Sequence, residues 1–386
     1  MHPRLSILYT AALWVVALLL PGCIDSYSPE VLSSPRHFLV VDGFINSQGV
    51  TTISLQRTID ITTKTPPPPE KGAVVSIEEE NGARYVLPEG AVKGTYSSAP
   101  LTLNPQKNYR LRILTATGKE YASAYTAVKT TPPIGDITWQ ASDKGVDISL
   151  SSYDASGQTR YYRWEYAETW EIASPYNPTV EYKNNRMQEI TTPFPTSCWS
   201  TGTSSDIEIA STVRLTEDRV SNYLLRSLPT TTDRLRIRYS ILVSQHAQTA
   251  EEYMYWELLR KNTENIGTLF DPLPSQLTGN IRCLNDENEL ALGFISAHSL
   301  AQKRLFIGRG ELPRTWLIQS GYEGCLPPDT VKLYTGFKSP AEILKAAFSI
   351  PGYLPINEVD GGYTARSREC IDCRLRGTAV KPDFWP

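Results

Sequence analysis

The residues of this chain whose types and spacing could do chemistry are few once the first 22 positions are set aside: three histidines, five cysteines beyond Cys23 and two glutamates inside an aromatic run. His37, His246 and His298 are far apart and show no HExxH or paired-ligand spacing, so no metal site is written locally. A Gly-x-Ser-x-Gly elbow is absent. Gly308-x-Gly310 is too short to be a nucleotide-binding loop. Cys370-Ile371-Asp372-Cys373 has the spacing of a dithiol pair and leaves three readings open: disulfide staples in long loops, half of a zinc site with Cys283 and Cys325, or redox work. With Cys198, an oxidising compartment allows two bridges and one odd thiol, and their connectivity does not follow from spacing.

The other candidates lie in Tyr161-Tyr162-Arg163-Trp164-Glu165-Tyr166-Ala167-Glu168-Thr169-Trp170. In a strand, Tyr162, Trp164 and Tyr166 share one face while Arg163 and Glu165 share the other. An exposed aromatic row would stack on sugar rings or flat ligands and is the possible ligand-binding site. A buried row would instead be the core of a sheet. Glu165 and Glu168 are the best candidates for the two carboxylates of glycosidic acid and base work. Weighed together, these residues lead to the expectation of a protein that is not an enzyme, with no catalytic residues, no metal and no cofactor.

The elements that must position them are mainly β. His37 to Ile45 and Val50 to Arg57 read as two strands joined by the turn Asn46-Ser47-Gln48-Gly49. Further short strands at Ala73–Glu78, Arg84–Leu87, Gly94–Ser97, Tyr109–Leu114 and Tyr121–Val128 complete an expected immunoglobulin-like or fibronectin-like sandwich over 36–130. Pro66 to Pro69 interrupt pairing, and Thr131-Pro132-Pro133 marks a boundary, because proline has no amide hydrogen for a ladder. A larger β-rich domain is expected over 134–386. Its 173–207 stretch is irregular, and it carries one docked helix over 250–264. Thr249 with Glu252 fits a capping box; Tyr255, Trp256 and Leu259 give the helix an apolar face; and Gly267 would stop it.

At the start, Arg4 precedes an apolar run from Leu5 to Leu20, and the segment ends Leu20-Pro21-Gly22-Cys23. The run is short for a membrane span and reads as a secretory signal over 1–22, with Cys23 as the lipidation acceptor and 23–35 as a tether. A plain cleaved signal and an uncleaved anchor helix are the alternatives. Export argues against cytosolic nucleotide chemistry. The net charge of −3 and the lack of a Lys/Arg block leave nucleic acid no electrostatic footprint.

Several pieces recur in a telling order. The lipobox is followed by Leu39-Val40-Val41-Asp42-Gly43-Phe44-Ile45 and Thr52 to Thr58, then Cys198-Trp199, Gly279-Asn280-Ile281, Cys370 to Arg374 and Lys381-Pro382-Asp383-Phe384-Trp385. In that order they resemble the Bacteroidota lipoproteins of domain-of-unknown-function family 4249 across essentially the mature chain. The resemblance implies an outer-membrane lipoprotein, anchored by its N-terminal lipid and acting as an accessory or ligand-capturing partner of a TonB-dependent β-barrel receptor. A small-molecule or peptide ligand stays unnamed, and either face of the membrane is open. A structural or adhesive envelope lipoprotein is the competing expectation. The family supplies no catalytic residues to carry over.

Overall fold

The computed structural model describes residues 37–60, 63–264, 279–334 and 336–386. The expected signal, the lipidation site Cys23 and the tether lie outside the described residues, as does the stop at Gly267. The chain is mainly β, as its alternating segments require, with two α-helices among the described residues: α1, Ala250–Glu264, and α2, Pro340–Phe348.

The first sandwich sets Leu39–Gly43 between Thr52–Arg57, antiparallel, and Ala291–Leu292, parallel. Its facing sheet is built around Asn108–Leu114, with Val74–Glu79 along one side and both Glu120–Ser123 and Thr126–Lys129 along the other. Leu39, Val41, Ile53, Leu55, Ile77, Leu111 and Ile113 fill the space between, closed by the buried tyrosines Tyr96, Tyr109 and Tyr121. Each sits at an alternate strand position, which is how a period of two buries one face.

Residues 279–298, which the sequence segmentation assigned to the second unit, return to this first sandwich. Ile281–Cys283 pairs with Glu120–Ser123, and Ala297–His298 pairs in parallel with both Ile45–Asn46 and Thr126–Lys129. The return path is tight. A Cβ on Gly279 would lie 1.7 Å from the Gly293 carbonyl oxygen, and one on Gly293 would lie 2.0 Å from that of Val41. Gly293 also takes φ +123°, a conformation that suits glycine. Between them, the Asn280 side chain donates to the Ile295 carbonyl at 2.8 Å and accepts its amide at 2.9 Å. Short parallel contacts of this kind leave no local hairpin signal, so periodicity could not place them.

The second sandwich packs Ile134–Ser142, Gly145–Tyr153 and Arg219–Pro229 against Cys198–Thr203, Tyr161–Ile172, Arg238–Ala247 and Leu300–Gly308. Its core joins Val146, Ile148 and Leu150 to Tyr162, Trp164, Tyr239, Ile241 and Val243. The excursion expected to be irregular over 173–207 holds the hairpin Val180–Lys183/Arg186–Glu189 and the strand from Cys198. A C-terminal lobe follows, in which Asp329–Lys332, Tyr353–Val359 and Gly362–Ser367 form a sheet beside α2. The tail then runs back over the second sandwich: Trp385 is buried against Trp199 and Phe306, and the Arg304 guanidinium lies over Phe384.

Two disulfides staple this return, Cys198–Cys373 and Cys325–Cys370, leaving Cys283 as the free thiol among the described residues. The staple reading of the Cys370-x-x-Cys373 pair is the one realised. The zinc and dithiol readings are corrected, because each of the two cysteines is bonded to a distant partner. Asp372, buried between them, is held by Arg368 and Arg374.

Candidate functional site

The strand Tyr161–Ile172 decides the site, because its two faces have opposite fates. Tyr162, Trp164 and Tyr166 point into the second core and are buried, Trp164 completely. The Trp164 indole donates to Gln245 Oε1 at 2.8 Å, and Gln245 Nε2 in turn donates to the Pro132 carbonyl at 2.8 Å and to Ser152 at 3.0 Å. The Tyr162 hydroxyl donates to Asp218 at 2.9 Å. The aromatic row is therefore packing, and the platform reading is corrected: a buried polar atom must find a partner, and each of these two has one inside the protein.

Glu168 follows the inward face. It lies 3 % exposed, accepts from the Tyr239 hydroxyl at 2.7 Å and from Arg226 at 3.2 Å, and pairs with Arg234. Three residues earlier, Glu165 points the other way. The proposed carboxylate pair is thus divided between opposite faces of one sheet and cannot flank a single bond, which is the second correction. The acidic group that faces Glu165 is instead Asp42 of the first sandwich, whose carboxyl is raised by burial and by the Glu165 charge.

On the outward face, Arg163 and Glu165 form an ion pair at the bottom of a cleft of about 260 Å³. The cleft is closed by Trp256 of α1 on one side and by the 203–208 segment, carrying Ser205 and Asp206, on another. The Arg163 guanidinium lies over the Trp256 indole at 4.4 Å, a geometry in which the ring quadrupole attracts the cation. The Trp256 indole donates to Glu252 at 3.4 Å. Burial opposes ionisation of Glu165, but the His246 ring 3.6 Å away and the Arg163 charge outweigh it and hold its carboxyl well below the ordinary range. Two further serines line the cleft: Ser204 accepts the Tyr166 amide at 3.1 Å, and Ser244 accepts Gln302 Nε2 at 2.9 Å. The arrangement offers a fixed cation, a fixed anion and an indole to a small polar ligand.

Behind the cleft, the two sandwiches and α1 meet in a buried polar junction. His246 of the second sandwich and His298 of the first lie edge to face at 5.1 Å, and Phe44 stacks on His298 at 4.2 Å. Gln248, Glu252 and Ser296 are buried alongside. The capping box of α1 is half formed: the Glu252 amide donates to Thr249 Oγ1 at 3.2 Å, while the Glu252 side chain turns inward to Trp256. Burial raises the Glu252 carboxyl above its usual range. The histidines thus converge with one another although their sequence spacing carries no hint of it, and His37 stays apart at the edge of the first sandwich, bonded to the Thr58 carbonyl. No group of three or more His, Cys, Asp or Glu placed to hold a metal occurs among the described residues.

These features define a two-sandwich β protein with a polar cleft on its helix-covered sheet and a disulfide-stapled tail. The chain belongs to the family described as Domain of unknown function (DUF4249), whose model matches residues 24–304. That span takes in the first sandwich with its returning 279–298 segment, α1, and the second sandwich as far as Arg304 in Leu300–Gly308. No curated protein matches the chain. A solved structure described as the complete manganese lipoxygenase of Gaeumannomyces graminis and partial zonadhesin of Komagataella pastoris aligns over 56 % of this chain and 91 % of that chain at 9 % identity, with a TM-score of 0.15. That likeness carries no argument. No described helix is long and apolar enough to cross a membrane.

Proposed function

We propose that this protein is a lipid-anchored, non-catalytic accessory of an outer-membrane TonB-dependent receptor, capturing a small polar ligand or peptide group in the Arg163–Glu165–Trp256 cleft and passing it on without covalent chemistry. The observation that carries the reading is that cleft: a buried guanidinium, an ionised carboxylate and an indole converge on one open hollow, the composition of a recognition site with few, well-placed polar groups. The lipobox ending at Cys23 supports the place, and the resemblance to lipoproteins encoded beside such receptors supports the partner.

The competing reading, a structural or adhesive envelope protein, is favoured by the closure of the aromatic row into a core. The two are separated by a mild-detergent pull-down of the lipidated protein from its native outer membrane, followed by mass spectrometry of co-purifying chains and small molecules. A β-barrel receptor in near-equal amount supports the accessory role, and its cargo names the ligand. A clean protein with no barrel and no bound molecule sinks it and leaves the scaffold.

A further inference from the structure

Besides the connection from Glu264 to Gly279, the chain passes between its two sandwiches at two adjacent points. Thr131 to Pro133 leads out of Thr126–Lys129, and Ser299 joins Ala297–His298 to Leu300–Gly308. The two crossings are tied together. The Thr131 amide donates to Ser299 Oγ at 2.9 Å, the Thr131 hydroxyl donates to the Ser299 carbonyl, and the Ala247 amide donates to Thr131 Oγ1 at 3.1 Å. Next to these crossings stand Phe44 and His298 from one sandwich and His246 from the other, each ring within 5.1 Å of the other two. Both histidines are buried, at 1 % and 0 % exposure.

The protonation chemistry is set by the bonds. His298 Nδ1 lies 3.1 Å from the Ser299 carbonyl, which can only accept, so in the neutral ring Nδ1 carries the hydrogen and Nε2 is the basic atom. Nε2 has no hydrogen-bond partner among the described residues. The charged groups around the stack are Arg163 and Glu165 from Tyr161–Ile172, Asp42 from Leu39–Gly43 and Glu252 from α1. Glu165 approaches His246 Nε2 at 3.6 Å and is already paired with Arg163. Glu252 is buried and favoured in its neutral form. A proton on His298 would therefore create a buried cation beside Arg163 with no carboxylate bonded to it, and an unpaired buried charge is relieved by solvation.

We propose that the His246–Phe44–His298 stack is an acid-sensitive clasp between the two sandwiches, closed at neutral pH and released by protonation of His298, with Thr131–Pro133 and Ser299 as the pivot. Parting the sandwiches draws Phe44 and His298 away from the sheet that carries Arg163 and Glu165, so the clasp also loosens the back of the cleft. The clasp does not depend on which ligand the cleft takes or on whether it takes one. Burial, and the proximity of His246, push the His298 imidazole well below its ordinary range, and burial and the Arg163 charge lower that of His246. The opening is thereby placed on the acid side of neutrality.

The test is hydrogen exchange, corrected for intrinsic rates, on the full lipidated chain in detergent from pH 7.5 down to the onset of global unfolding in acid. The junction amides of Thr131 and Ala247 are expected to lose protection at least about tenfold more than the core amides of Ile113 and Val243, which separates local opening from unfolding. In His298→Phe, which keeps a ring on Phe44 and removes the titrating atom, the opening should move down by about one pH unit or more. If that variant does not fold, His298→Gln replaces it, and the ring nitrogens of His298 in the unsubstituted protein are followed by NMR. Protonation in step with opening supports the clasp. Uniform protection across the range, protonation without opening, or opening of the variant at the same pH overturns it.

Discussion

Replacing Trp164 by alanine tests the two-faced strand on which the whole placement of the site depends. The side chain is completely buried, stacks near Tyr162 and Tyr223, and bonds Gln245. Truncating a buried tryptophan costs about 3–5 kcal/mol from lost transfer and the cavity left behind. Gln245 Oε1 then loses its donor in a dry setting, adding about 1–3 kcal/mol. The sum, about 4–8 kcal/mol, is comparable with the whole stability of an ordinary domain, about 5–15 kcal/mol, so the second sandwich should be largely unfolded or barely folded. Trp164→Phe retains most of the volume and isolates the hydrogen-bond part, about 1–3 kcal/mol. Glu165→Gln, one residue away on the opposite face, keeps the shape but takes the anion from the buried Arg163, and should cost about 1–3 kcal/mol, less than Trp164→Ala. Urea unfolding followed by far-ultraviolet circular dichroism, with disulfides intact, reads all three. A Trp164→Ala protein that loses less than about 2 kcal/mol, or a Glu165→Gln protein that loses more than Trp164→Ala, would refute the assignment of faces.

Three further outcomes follow from the same contacts. Asn280→Ala removes both bonds that hold Ile295 and should destabilise the first sandwich by about 2–4 kcal/mol, seen as faster exchange of the Ile295 amide. Reduction of Cys198–Cys373, which closes a separation of 175 residues, should lower the stability of the lobe and second sandwich by about 2–5 kcal/mol, measured as a drop in Tm with reductant; an unchanged Tm would show that the staple is idle. The pH dependence has a definite sign. His246 and His298 have folded pKa values below 6.5, so the unfolded chain takes up protons first and their contribution, complete above that pH, is lost as pH falls below it. Glu252, raised above 4.5, acts oppositely, so Glu252→Gln should steepen the acid loss between pH 6.5 and 4.5, and a shallower loss would contradict the burial of that carboxylate.

Much of the architecture is legible along the chain. The alternation in Leu39–Gly43, Thr52–Arg57 and Asn108–Leu114 predicts the first sandwich, and Thr249 with the apolar spacing of Tyr255, Trp256 and Leu259 predicts α1 at the bounds it occupies. Thr131-Pro132-Pro133 connects Thr126–Lys129 of the first sandwich to Ile134–Ser142 of the second, with Thr131 and Pro132 buried and Pro133 exposed. The site is legible only in part. Arg163 and Glu165 stand out as the polar partners of an aromatic row, but periodicity gives two faces without saying which is buried. His246, His298, Phe44 and Glu252 carry no joint signal, because they reach the junction from separate segments of the chain.

By itself, then, the amino-acid order determined what is local: which stretches extend, where glycine and proline turn or stop them, where a helix is capped, and that an odd cysteine remains. The tertiary structure decided what depends on closing long loops. It sent residues 279–298 back to the first sandwich, paired Cys373 with Cys198 and Cys370 with Cys325, and turned Trp164 inward and Glu165 outward. The physical reason is that strand period and turn chemistry act over a few residues. The choice of partner is made by burial, and burial exists only once distant segments have met.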